Sequence, residues 1–238
     1  MSAPSKDAPS FFMLTPLERV LEPEVMDTEE EARAYDAMDH IAVNNAFCSD
    51  LLTLKPDLLS TLDVGAGTAL IPIELCRRSP NARVVAIDLA ASMLELAASN
   101  VARAGLNDLI QLKRIDAKSL PFDDGSFSCV ISNSILHHIP DPRAVLAEML
   151  RVIRPGGLMF VRDLIRPATD ADVIALVQLH AAGADDQQRS LLNASLRAAF
   201  TLDEVRALAA GLGIPSSCVQ MTSDRHWTLA YKRPLEER

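Results

Sequence analysis

The stretch LDVGAGTAL, residues 62–70, decides how the rest of the chain is read. An apolar run ends in Asp63 and Val64, and Gly65 and Gly67 follow one residue apart, just before a helix-like segment at 69–78. Glycine permits positive φ and lets backbone N–H groups approach a bound ligand closely. A strand, a glycine turn and a helix in that order open a parallel α/β unit whose ligand lies beyond the carboxyl end of the strand.

Outward from this turn, strands and helices alternate. RVVAIDL (83–89), IQLKRID (110–116), FSCVISN (127–133) and GLMFVRD (157–163) read as strands, and 91–105 and 142–153 as helices. Strands spaced by helices of this length make a parallel sheet covered on both faces. After residue 165 the rhythm changes. Residues 170–199 read as helical with a break at 183–186, and 201–213 as an amphipathic helix capped by Thr201 and Glu204. Two alternating runs, 217–223 and 226–232, read as a hairpin. The expected fold class is therefore α/β: a Rossmann-like, seven-stranded, mostly parallel sheet with an antiparallel C-terminal hairpin and a helical lid. The lid combines an N-terminal part, 1–59, with an insertion, 165–200, on a main domain of 60–238. Within it, 1–16 reads as a poorly ordered leader and 28–54 as one helical stretch opened by a Thr28–Glu31 capping box.

Bulk properties narrow the function. A net charge of −9 repels phosphate backbones, so no nucleic-acid partner is expected. No apolar run approaches the ~20 residues of a membrane span, and no signal-like start is present. A cytoplasmic protein, monomer or homodimer, is the expectation. The four cysteines, Cys48, Cys76, Cys129 and Cys218, are too scattered for a metal knuckle, and no metal is expected.

Carboxylates around the glycine turn choose between two nucleotide-like ligands. The dinucleotide fingerprint asks for a third glycine, and Leu70 stands there instead. Asp88 ends the second strand, where an acid accepts ribose hydroxyls in either case. Asp63 precedes the glycines, where it would repel a pyrophosphate and welcome an ammonium. Asp116 ends the third strand, within reach of an exocyclic adenine amine. A ligand with a cationic amino-acid tail, one ribose and one adenine satisfies all three, and S-adenosylmethionine is such a ligand.

LDVGAGTA, AIDLAASML, RIDAKSLPFDDGSFSCVISNSILHHIPDP and LRVIRPGGLMFV resemble, in order and spacing, the successive motifs of class I S-adenosylmethionine-dependent methyltransferases. The likeness is to the branch of the ubiquinone/menaquinone methyltransferases and runs from about Thr61 to Asp163. It implies that Asp63, Gly65, Ala66 and Gly67 line the methionine end and that Asp88 holds the ribose. It further implies that Leu89 and Met93 pack on the adenine, that Asp116 and Ala117 meet its amine edge, and that Asn133 lies under the sulfonium. The product would be S-adenosylhomocysteine, and the acceptor a small molecule methylated at O, N or C.

Methyl transfer from a sulfonium is an in-line displacement that positioning alone can promote. A base is needed only where the acceptor must lose a proton. His137, four residues past Asn133, and Tyr35 are the catalytic candidates, because an Ile-Leu-His at this place resembles the segment of phosphoethanolamine methyltransferases. His40, Asn44, Arg162 and Arg225 are further polar groups expected to face the pocket. Three other functions fit parts of the pattern: a nicotinamide oxidoreductase, an RNA or protein methyltransferase, and a non-catalytic cofactor-binding module.

Overall fold

A computed structural model describes residues 17–23, 27–38 and 40–235. The leader expected at 1–16 lies outside the described residues. Among these, seven strands form one sheet in the order β3-β2-β1-β4-β5-β7-β6. They are β1 (Thr61–Val64), β2 (Val84–Asp88), β3 (Ile110–Arg114), β4 (Phe127–Asn133), β5 (Ile153–Leu164), β6 (Val219–Met221) and β7 (His226–Lys232). Strands β3, β2, β1, β4 and β5 run parallel, while β7 is antiparallel to β5 and to β6. Order reverses between β1 and β4, so the carboxyl ends of these two strands flank the switch point where such sheets bind ligands.

The central strands β1 and β4 carry near-continuous apolar runs because helices cover both of their faces. One core packs Leu62, Val64, Met149, Val161 and Trp227, and the other packs Phe47, Ile73, Val84, Ile131 and Phe160. The helices are α1 (Glu29–Asp36), α2 (Ile41–Thr53), α3 (Leu70–Arg78), α4 (Ala91–Ala104), α5 (Arg143–Val152), α6 (Asp170–His180), α7 (Asp186–Ala198) and α8 (Leu202–Gly211). The helical stretch expected over 28–54 is in fact two helices, α1 and α2. The Thr28–Glu31 box caps α1 as expected, but the chain turns at Ala37 and Met38. His40 starts α2 with no side-chain cap, its ring nitrogen instead meeting the Tyr35 carbonyl at 2.7 Å. The expected Thr201–Glu204 box is present at α8.

Three pieces outside the sheet gather over its carboxyl edge. Helix α1 docks on α4 through Ala32, Tyr35, Ala90 and Met93. Helices α6 and α7 close a small core with Leu164, Val173 and Leu196, into which Leu17 packs. Residues 17–23 cross this face as an extended strap. Leu17 N–H donates to the Ala168 carbonyl, and Val20 N–H donates to that of Arg197.

Candidate active site

The first strand leads straight into the turn. Gly65 (φ +73°) and Gly67 (φ +53°) are both left-handed, and the N–H groups of Gly65 and Ala66 donate to the Ile87 carbonyl at 2.9 Å. Gly65 is fixed by sterics as well, because a Cβ here would overlap Ile135 Cγ2 and lie 2.8 Å from its Cδ1. At Gly67 the nearest atom is Tyr35 Cε1, 3.7 Å from an added Cβ. At Gly65 the turn is thus pressed directly against the loop after β4.

A cavity of about 830 Å³, counted to its solvent-open mouth, lies against this turn. Gly65, Gly67, Asp88, Leu89, Met93, Asp116, Ala117 and Asn133 line it, joined by Tyr35, Ile115, Ile135, His138 and Ile139. A narrower extension behind it is lined by Asp63, Ala66, Thr68, Asn44 and Asn133, with Tyr35 and Gly65 again on its wall. All ten residues expected from the sequence to bind the cofactor therefore line these two adjoining spaces, which share Tyr35, Gly65 and Asn133 on their walls.

The electrostatics divide this region in two. Asp63 is buried, its Oδ2 has no hydrogen-bond partner among the described residues, and burial followed by the nearby Asp88 charge pushes its carboxyl up to about 8. Buried carboxylates without partners are costly. This one, in a recess beside a second orphaned acceptor, Asn133 Oδ1, suits a cationic donor. Asp88 sits one strand over. Its Oδ2 accepts from Gly67 N–H at 2.8 Å and its Oδ1 from Ala90 N–H at 2.9 Å, while burial still raises its pKa. Asp116 is more open, with Oδ1 accepting from Lys118 N–H at 2.9 Å.

Tyr35 stands between the two parts of the cavity. Burial, then the Asp88, Asp63 and Asp36 charges, push its phenol up to about 12, so at neutral pH it is a hydroxyl donor and a poor base.

His137 is placed otherwise than expected. It is buried and is not among the cavity-lining residues. Its Nδ1 lies 2.6 Å from Asp163 Oδ1, and its Nε2 lies 3.3 Å from Glu22 Oε1. Burial works against the charged ring, but Asp163 by charge and hydrogen bond, and then Glu22, raise its pKa overall. The histidine on the cavity wall is His138, which burial and the His137 charge hold neutral, down to about 4.

The expectation for Arg162 is corrected. It is buried, donates to Thr228 Oγ1 at 2.9 Å and to Asp50 Oδ2 at 2.6 Å, and lies over the Phe47 and Phe160 rings. An inward arginine on β5 needs those partners, which take it away from the cavity. His40 and Arg225 are likewise not among the lining residues, whereas Asn44 lines the extension as expected. Reading by motif missed Glu22, Arg19, Ile135 and Asp163. Only Asp163 carried a usable signal, as one more acid at a strand end.

Comparison with known proteins agrees with this architecture. Residues 62–161 match the methyltransferase domain family. The ubiquinone/menaquinone biosynthesis C-methyltransferase UbiE of Hahella chejuensis is 30% identical over 156 residues, 59% of this chain and 63% of that protein. The chain spans less than two thirds of the length of this relative, and less than half that of the Desulfitobacterium hafniense demethylmenaquinone methyltransferase. Among solved structures, an S-adenosyl-L-methionine-dependent methyltransferase candidate from Methanococcus maripaludis superposes with a TM-score of 0.67 at 17% identity, covering 92% of this chain and 99% of that one. At that identity the likeness is one of fold.

Proposed function

We propose that this chain, whose residues 62–161 match the methyltransferase domain family, is a class I S-adenosylmethionine-dependent methyltransferase that transfers the sulfonium methyl group to a small-molecule acceptor. The buried Asp63 carboxyl behind the glycine turn, whose Oδ2 has no hydrogen-bond partner among the described residues, carries this reading. It suits the α-ammonium of the cofactor's amino-acid tail, whose charge would draw the carboxyl back to its ionised form, and an anionic pyrophosphate in the same recess would find no such complement. Asp88 then takes the ribose hydroxyls, Leu89, Met93 and Ile115 sandwich the adenine, and Asp116 with Ala117 meets its amine edge. Asn133 stays under the sulfonium.

The bound cofactor supplies an electrophilic methyl group. The chain's residues bind it, fix its direction and exclude water, and these effects suffice for an in-line displacement. Acceptor entry falls to the side bounded by Tyr35, Ile135, His138 and Ile139. That wall is largely apolar, which favours a hydrophobic ring over a polar metabolite. The names of the relatives make a demethylated quinol the first acceptor to test, and the one proton it loses on methylation would pass to solvent at the cavity's open mouth. Tyr35 donates a hydrogen bond at this wall. His137, held between two carboxylates, positions the loop after β4 unless Glu22 leaves it.

Calorimetry tests the core of the reading. The protein should bind S-adenosylhomocysteine, and Asp88→Ala should weaken it by at least tenfold, about 1.4 kcal/mol. Absence of binding by the wild-type chain would overturn it. Formation of S-adenosylhomocysteine from added S-adenosylmethionine, dependent on a reduced demethylquinone, would then identify the acceptor class.

A further inference from the structure

Beside the cavity lies a cluster to which the methyl-transfer reading assigns no chemical step. Glu22 comes from the strap at 17–23, and His137 and His138 come from the turn after β4. A carboxylate oxygen and two ring nitrogens of these residues lie within 4.8 Å of one another. Both nitrogens address the same atom, Glu22 Oε1, with His137 Nε2 at 3.3 Å and His138 Nδ1 at 3.2 Å.

These two distances are informative. Charge-assisted N–H···O bonds run to about 2.7–2.9 Å, and elsewhere in the molecule histidine–carboxylate contacts close to 2.6 Å, at His137–Asp163 and His180–Asp224. The contacts to Glu22 are longer by more than half an ångström. Ligands held at about 2.0–2.1 Å around a tetrahedral ion stand roughly 3.3–3.4 Å apart, and the Glu22 contacts match that spacing. The outer shell fits as well. His137 directs Nδ1 at the buried Asp163 carboxylate, which also accepts from His137 N–H at 3.1 Å and from Leu164 N–H at 2.6 Å. A carboxylate behind a histidine fixes its tautomer and leaves Nε2 as the donor atom. The Pro23 carbonyl, 3.3 Å from His138 Nδ1, adds one more oxygen to the cluster.

We propose that Glu22, His137 and His138 form a three-ligand site for a divalent transition ion of the zinc class, open in its fourth position. Two imidazoles and a carboxylate are a donor set that such ions accept, and an open position is the mark of a site that also takes a substrate atom. Because Glu22 belongs to the strap, the ion fastens residues 17–23 across the cavity edge. His138 lines the cavity itself, which brings the open position within reach of an acceptor oxygen. That last role rests on the methyl-transfer reading, whereas binding of the ion does not.

The full-length protein, dialysed against a chelator, should be titrated with Co²⁺ and followed by its visible absorption. The site should take up one Co²⁺ per chain with the intense bands of low-coordinate geometry, and Zn²⁺ should abolish them. Glu22→Gln and His138→Ala should each weaken the ion by at least tenfold, and Asp163→Asn by about tenfold through the outer shell. No visible bands in the wild-type protein would overturn the proposal and leave the cluster an ion-pair network. So would bands whose strength neither Glu22→Gln nor His138→Ala changes, because the ion would then sit elsewhere. Calorimetry with S-adenosylhomocysteine on the chelated sample keeps the two readings apart. Cofactor binding without cobalt binding sinks only the metal site, and the reverse sinks only the cofactor.

Discussion

At the Gly65–Asp88 end of the cavity, the lining groups hang from the ends of neighbouring strands and the turns that follow them. At the His137 end they arrive from segments far apart in the chain. Gly67 N–H reaches Asp88 Oδ2 across a single βαβ unit, from the turn directly after β1 to the last residue of β2. By contrast Arg19, 118 residues from His137, donates to the carbonyls of His137, Ile139, Pro140 and Ala198. Glu22 reaches the same turn from the same strap. One end is rigid because the sheet makes it so. The other holds its shape only while the strap stays down, which suits a face that must admit an acceptor and release a product.

Gly65→Ala tests the rigid end most severely. A Cβ there meets Ile135 side-chain atoms and the φ of +73° is strained for any other residue, so accommodation must move the turn or the loop after β4. Overpacking and left-handed strain together come to about 2–4 kcal/mol. Thermal unfolding should show that loss, and binding of S-adenosylhomocysteine should fall by at least a hundredfold. A variant that binds as wild type would mean that Ile135 yields and that the end is softer than its packing implies.

Asp63 offers a pH test of the same end. Its pKa in the folded chain is raised, to about 8, by burial and then by Asp88. The folded state therefore holds a proton that the unfolded chain loses near pH 4. Stability from this group is complete below pH 4 and is lost as pH rises toward 8. In the ligand-free protein Asp63→Asn should remove that loss, flattening stability between pH 6 and 8 by about 1–2 kcal/mol relative to wild type. Added S-adenosylhomocysteine should flatten the wild-type profile in the same way by supplying the missing cation. Parallel profiles for wild type and variant would show that water already solvates this carboxylate.

The strap end should respond differently. Arg19→Ala removes a guanidinium that bridges α7 to the turn after β4 and lies over the Phe200 ring at 3.7 Å. Its cost in global stability should be about 1 kcal/mol, since the group is partly exposed. The larger effect should be local, as faster cleavage of residues 17–23 by a protease at unchanged cofactor affinity. If cofactor affinity fell as much as strap protection, the two ends would be one cooperative unit.

The same contrast explains what could be read from the chain. The sheet was legible because each strand carries its own apolar run, and FSCVISN matches β4 residue for residue. That the residues proposed for the cofactor would share one edge was legible because the acids and the asparagine among them sit within a few positions of a strand end, at 63, 88, 116 and 133, where topology alone fixes that edge. Nothing local marks Glu22 as a neighbour of His137, or Ile135 as the reason for Gly65, because those contacts exist only after α6, α7 and the strap have packed. Arg162 misled for a related reason. Its place at a strand end was readable, but the Asp50 and Thr228 side chains that turn it aside come from α2 and β7. The break between α1 and α2 was hidden by apolar spacing that continues through 28–54, although the chain turns at Ala37 and Met38.

Asp116 marks the limit of the rigid end and should give the smallest effect. It lies past the end of β3, its side chain is 44% exposed, and its one described hydrogen bond is with the N–H of Lys118 inside the same turn. A hydrogen bond to an adenine amine at such a site competes with water, so its net worth is about 0.5–1 kcal/mol. Asp116→Ala should therefore weaken S-adenosylhomocysteine two- to fivefold, while a change of adenosine to inosine in the ligand should cost the wild type a similar factor and the variant almost none. A loss as large as that of Asp88→Ala would place the adenine deeper than the cavity lining allows, and would extend the rigid end one strand further than the sheet itself supports.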